Sequence, residues 1–164
     1  MKAVANSSVL ITLGTIGQLA LLPRRFPEGV LVPQAVWREI VETGKGQPGS
    51  EEMESASWVV VREVKDRGLV SLLCSELDKG EAEAIALARE EQVLVVLLDE
   101  KDARRVARRL NLHVMGTVGL LIWARRVGAI ASLREQLDTL RTLGRFHMSQ
   151  AVYDEALRAV GEIA

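Results

Sequence analysis

A chain of 164 residues, 48% hydrophobic, 26% charged and with a formal net charge of −1, has the make-up of a globular protein. It is long enough to bury one full core, and a single domain over 1–164 is expected. That balance excludes a chain that is basic throughout, so any contact with nucleic acid has to come from a local patch. The lone cysteine, Cys74, excludes an internal disulfide and fits a reducing compartment; with no His or Cys near it at metal-ligand spacing, it reads as a small core residue.

The N-terminus lacks signal-peptide anatomy, because its apolar stretch is broken by Asn6, Ser7 and Ser8 and then by Gly14 and Gly17. The run over 118–124 ends at Arg125 and Arg126 and is too short to span a bilayer, so a cytoplasmic location without membrane association is expected. A short strand over 2–5 leads into the polar trio 6–8, a turn and helix N-cap. A helix over 9–22 follows, loosened by its glycines and stopped by Pro23. The second strand covers 29–32, and Pro33 suits the first turn of a helix running to about Val41. Residues 43–49 are the most loop-like stretch and are predicted mobile. A short helix over 50–56 and a β-branched strand over 58–61 come next.

Residues 66–74 are predicted helical, and Asp78 stands three residues before Glu81, a capping-box spacing that opens the next helix. Residues 93–98 form a continuous apolar run between two helical patterns, the mark of a buried parallel strand. A helix over 101–110, a fifth strand over 112–115 and a helix over 118–126 follow. Helices over 132–140 and 149–163, each begun by a serine, close the chain. Strands alternating with helices argue for a doubly wound, mainly parallel α/β sheet, which by itself says nothing about chemistry.

Several chemistries lack their residues. No Gly-x-Gly-x-x-Gly follows a strand, and there is no phosphate-binding P-loop and no Gly-x-Ser-x-Gly elbow. His113 and His147 stand alone and read as surface or structural residues, which leaves no zinc site. What remains is oxygen chemistry: Asn6 ends the first strand, Asp99 ends the fourth, and Glu39 and Glu81 lie on helices next to strands. Hard cations such as Mg²⁺ take carboxylate and carbonyl oxygens and can activate water for attack on a phosphodiester.

Each of these residues also has a plainer reading. Glu39 lies at roughly 300° on a helical wheel started at Val36, beside the apolar arc, where a glutamate is usually only solvated. Glu81 is explained as the capping partner of Asp78, and Glu83, two positions on, faces away from it. Asp99 is either a site residue or the N-cap of the next helix. Arg104, Arg105, Arg108 and Arg109 occupy an arc of roughly 140° on one helix, either a solvated face or a grip on a phosphate backbone. Arg125 and Arg126 are a weaker basic candidate. Trp37, Trp58 and Trp123 sit in apolar contexts, so base-stacking platforms are not expected.

The segments VANSSVLITLGTIGQLALLP, VLVPQAVWREIV, LDKGEAEAIALARE and VVLLDEKDARRVARRLNLHVMGTVGLLIWARRVGAI, in this order, resemble the DUF3368 branch of the PIN-domain superfamily over nearly the whole chain. The resemblance implies a three-layer α/β/α sandwich with a mainly parallel central sheet and a Mg²⁺- or Mn²⁺-dependent ribonuclease. It further implies a VapC-like toxin held by an antitoxin protein, and a homodimer. Carried over by position, the acidic site falls on Asn6, Glu39, Glu81 and Asp99, with Glu83 and Glu100 as neighbouring options. Ser8 matches a hydroxyl that supports the first acid, and Thr117 a structural or supporting position. The departure is Asn6, where many relatives carry aspartate; an amide offers an oxygen without the charge. Two other readings stay open: a catalytically silent module of this fold that binds RNA or a protein, and an unrelated phosphotransferase with Asp99 as nucleophile, which lacks its downstream lysine motif.

Overall fold

The computed structural model describes residues 1–143 and 146–162. The chain divides into two compact units, Met1–Gly116 and Thr117–Ala164. Five short strands organise the first: β1 (Ala3–Ala5), β2 (Val30–Pro33), β3 (Val59–Arg62), β4 (Val95–Leu97) and β5 (His113–Met115). Every neighbouring pair is parallel, in the spatial order β3-β2-β1-β4-β5. The chain therefore lays β2 and β3 on one side of β1 and then crosses to the other side for β4 and β5. That reversal, between β1 and β4, is the switch point where open parallel sheets bind ligands beyond their carboxyl ends.

The helices of this unit are α1 (Ser7–Thr15), α2 (Leu21–Arg25), α3 (Gln34–Trp37), α4 (Ser50–Ser55), α5 (Arg67–Leu73), α6 (Lys79–Glu90) and α7 (Lys101–Arg109). Val4, Leu31, Val96 and Leu98 share one face of the sheet with buried residues of α5, α6 and α7. The alternate residues Ala3, Ala5, Val30, Val32, Val95 and Leu97 point to the other face and are buried as well. A parallel sheet covered on both sides is the α/β class expected, and it explains why the inner strands read as unbroken apolar runs. Helix α6 is buried from Gly80 through Ala88. Four alanines let it lie close on the sheet, and the expected capping box starts it: Asp78 Oδ1 accepts the Glu81 N–H at 2.8 Å, and Glu81 Oε1 accepts the Asp78 N–H at 3.1 Å.

The structure departs from the pattern at three places. The first helix ends at Thr15, with Gly17 at φ +71°, and Pro23 lies inside α2 instead of stopping a helix. Pro23 is in the first turn of α2, where no N–H has an intrahelical partner to lose. The helix predicted over 33–41 is divided: Pro33 ends β2 and caps α3, which passes into a π-helical stretch at Arg38–Thr43. Cys74 is exposed at the end of α5, because the helix turns Val70 and Leu73 inward instead.

The loop over 44–49 is a pair of hydrogen-bonded turns that end against α1. Gly49 has φ +87°, and a Cβ there would stand 2.9 Å from Gly14 Cα and 3.2 Å from Leu19 Cδ1. Gly46 shares that φ but has nothing within 4 Å. Gly46→Ala is therefore expected to cost about 1 kcal/mol of left-handed strain, and Gly49→Ala about 3 kcal/mol once the clash is added. Urea midpoints at constant slope measure both; equal losses at the two positions would refute the close approach.

The second unit holds α8 (Thr117–Arg126), α9 (Leu133–Thr142) and α10 (Gln150–Ala159). Ser132 and Ser149 cap α9 and α10 as the sequence predicts, accepting from Glu135 N and Val152 N. The last helix stops at Ala159, and Ile163, the predicted end, lies outside the described residues. The Glu162 carboxylate then accepts from Leu133 N at 2.7 Å, Arg134 N, Ser132 Oγ and Arg125 Nε. Burial works to raise its pKa, but these donors outweigh it and hold the carboxyl below its ordinary value. No helix among the described residues is long and apolar enough to cross a membrane.

Candidate functional site

β1 delivers Asn6 to the carboxyl edge beside β4: its N–H donates to Leu97 O at 3.2 Å, and the side chain is buried. Two hydroxyls flank the amide. Asn6 Nδ2 donates to Ser8 Oγ at 3.4 Å. Ser7 Oγ lies 3.4 Å from Asn6 Oδ1 but only 2.7 Å from Glu39 Oε2. A hydroxyl has one proton to give, and the shorter, charged bond takes it. Ser7 thus stands beside Asn6 and is bonded to Glu39, which the π-helical stretch carries. A π-turn widens the helix at that point, a distortion frequent at functional sites.

From the other side α6 approaches Asn6 directly. A Cβ on Gly80 would stand 3.2 Å from Asn6 Oδ1, so glycine at this position lets the amide oxygen rest on the helix start, one residue before Glu81. Glu81 is 6% exposed. Its pKa rises to about 6, first through burial and then through the neighbouring charges of Asp78 and Glu100, against the lowering effect of the Asp78 N–H. Glu100 is thereby placed near Glu81, although it is exposed and makes no side-chain cap on α7.

Asp99 follows β4 and is half-buried. Its Oδ1 lies 2.9 Å from where a Cβ on Gly116 would be, so only glycine at the end of β5 lets the carboxylate sit there. Glu83 is turned elsewhere, as its position two residues past Glu81 predicts. It accepts from Ala35 N at 3.3 Å and from Arg67 Nη1 at 3.2 Å. Thr117 is fully buried at the start of α8.

The edge at the β1/β4 switch point therefore gathers Asn6, Ser7, Ser8, Glu39, Glu81 and Glu100, with Asp99 at the adjoining β4/β5 end. All the donors are oxygens, the set a hard divalent cation takes. Among the described residues no three acidic, histidine or cysteine side chains converge closely enough to hold an ion as they stand. Ser7 holds Glu39 and the cap holds one oxygen of Glu81. The fit lies in chemistry and charge: burial, with the charges of Asp78 and Glu100 behind it, raises the pKa of Glu81, and a cation would favour its ionised form.

The four arginines of α7 lie opposite buried Ala103, Val106 and Ala107. Arg105 is paired at 3.6 Å with both Glu76 and Asp102. Arg104 is half-buried, its Nε without a hydrogen bond, while Arg108 and Arg109 are exposed. Arg125 and Arg126 instead bond Glu162 and the Ala159 carbonyl. The sequence reading missed Ser7, Gly80 and Gly116; only the Ser7-Ser8 pair beside Asn6 offered a local signal, since the glycines matter through distant neighbours.

The family model that matches the chain is DUF3368, a PIN domain, over residues 2–162. No curated protein matches it. PIN domains are in general metal-dependent nucleases.

Proposed function

This chain belongs to the PIN-domain family, and on that footing we propose that it is a Mg²⁺- or Mn²⁺-dependent endoribonuclease hydrolysing RNA phosphodiester bonds. The observation that carries this is the closeness of Asn6 to Ser7, which bonds Glu39, and to the start of α6, beyond the switch point of the sheet, with Asp99 at the next strand end. Glu39, Glu81 and Asp99, helped by Asn6, would hold the cation. The cation supplies an activated water and offsets the charge that builds on the phosphodiester.

The chain's own groups prepare that site. Ser7 orients Glu39 by its hydroxyl, and the Asp78 N–H orients Glu81. Ser8 holds the Asn6 amide so that its Oδ1 is turned toward Gly80. The arginines of α7 grip the RNA backbone, Arg108 and Arg109 being exposed for it and Arg104 and Arg105 flanking them. The cellular role proposed with it is the toxin of a type II toxin–antitoxin pair, acting in the cytoplasm as a homodimer and held by a cognate antitoxin. A small reading frame for a DNA-binding antitoxin, if found beside this gene, would support that role.

Cleavage of a mixed-sequence RNA tests the activity. Chelated protein is expected to be inert and to recover on addition of Mg²⁺ or Mn²⁺; identical rates with and without metal overturn the reading. The second reading, a silent module of the same fold that binds RNA or a protein, draws on Asn6 standing where an acid is usual. It predicts weak metal binding by calorimetry.

A further inference from the structure

Beside the candidate site, on the β2 and β3 side, is a cavity of about 260 Å³ walled by Gln34, Arg38, Glu63, Arg67, Lys79 and Glu83. Its charges are unevenly matched. Glu83, 3% exposed, is satisfied by Ala35 N and by Arg67, which it anchors at the cavity wall. Arg38 and Lys79 are exposed and have neither a hydrogen bond nor an ion pair from their side chains among the described residues. Glu63, also exposed, is the one acid left to oppose them. Positive charge thus outweighs negative in a concave space, with Glu63 alone to balance Arg38 and Lys79.

The position of the two free cations gives the cavity its meaning. Arg38 immediately precedes Glu39, and Lys79 stands two residues before Glu81. Both therefore lie within about 7 Å of chain from a candidate metal ligand. We propose that this cavity binds a backbone phosphate of the RNA next to the scissile one, with Arg38 and Lys79 as its contacts and Arg67, positioned by Glu83, as its wall. The proposal rests on the nuclease reading and states where that substrate lies. An anion seated there completes the pairing of Arg38 and Lys79 and continues directly onto the acidic edge. The arginine face of α7 follows β4, so the strand would be held on both sides of the switch point.

A fluorescein-labelled single-stranded RNA of about ten nucleotides, titrated in metal-free buffer over a salt series, tests this. The double variant Arg38→Gln, Lys79→Gln is expected to bind about 10-fold more weakly at low salt. Its salt dependence should be shallower by about 0.7, the value for one phosphate contact on a single strand. The KM for cleavage should rise in step. The variant Lys45→Gln, Arg158→Gln removes the same charge from exposed positions elsewhere and should keep the wild-type slope. If the wild type binds and cleaves RNA while the first variant matches it in affinity and slope, the subsite is wrong and the nuclease reading stands. If the wild type neither binds nor cleaves, the nuclease reading fails and the subsite falls with it.

Discussion

Glu81→Gln is expected to lower RNA cleavage by about 100-fold or more and, in the same protein, to raise the stability of the metal-free fold. Both effects come from one carboxylate. Loss of a ligand exceeds the 10- to 100-fold typical of losing a group behind the ligands. The gain in stability follows from the raised pKa, about 6 against an ordinary 4.5. A group that binds its proton more tightly when folded favours the fold below the unfolded pKa, and that advantage is lost as pH rises through the folded one. The loss therefore falls between about pH 4.5 and pH 6, and above it the buried charge beside Asp78 and Glu100 is a standing cost. After allowance for solvent screening this is about 1 kcal/mol, or about 2–4 °C in Tm. Glutamine keeps an oxygen for the Asp78 N–H, so the cap survives. Melts of the two proteins should coincide near pH 4 and separate above about pH 6. Unchanged cleavage removes Glu81 from the site, and coincident melts at neutral pH remove the charge argument. Asp99→Asn should match the loss of activity.

The sequence exposed those parts of the fold whose causes are local. The Asp78–Glu81 box needs two residues three apart, and the apolar run over 93–98, all buried except Leu94, needs only composition, so α6 and β4 were legible. Asn6 and Asp99 at strand ends followed from the same pattern. Pro23 misled because a proline stops a helix in its interior but not in its first turn, and sequence alone did not place the turn. The π-helical stretch at Arg38–Thr43 leaves an apolar pattern close to that of an ordinary helix, so its widening at Glu39 was invisible. The rest depended on distance: Gly80 under Asn6, Gly116 under Asp99 and Arg67 over Glu83 are pairs that no short-range rule joins.

Those long-range contacts also sort the acids. Two glutamates on one helix turn, indistinguishable by composition, are separated by their neighbours. Glu83 is neutralised by Arg67 and a backbone N–H, whereas Glu81 is surrounded by further negative charge. A paired buried carboxylate is a structural element, while one whose surroundings oppose its ionisation is a candidate ligand, the role the nuclease reading assigns to Glu81.

Asn6→Asp is the change expected to strengthen the site. Asn6 Oδ1 already rests on Gly80 and near Ser7, so aspartate fits the same space and adds a charge where only a dipole stood. The lost Nδ2–H was donated to Ser8 Oγ, and the Ser8 hydroxyl can reverse and donate to the new oxygen. One more negative charge among hard oxygen donors is expected to tighten Mg²⁺ or Mn²⁺ by about 10- to 100-fold, at 1.4 kcal/mol per tenfold. Cleavage at limiting metal should rise in proportion. The same charge should destabilise the metal-free protein, since it joins Glu39, Glu81 and Glu100 with nothing to offset it. Calorimetric titration of metal into wild type and variant, with cleavage rates alongside, separates the two readings of the fold. Tighter metal with faster cleavage marks an attenuated nuclease whose amide limits its cation. If the variant binds metal more tightly and still cuts nothing, the loss lies deeper than Asn6, and the chain is a binding module built on a nuclease fold.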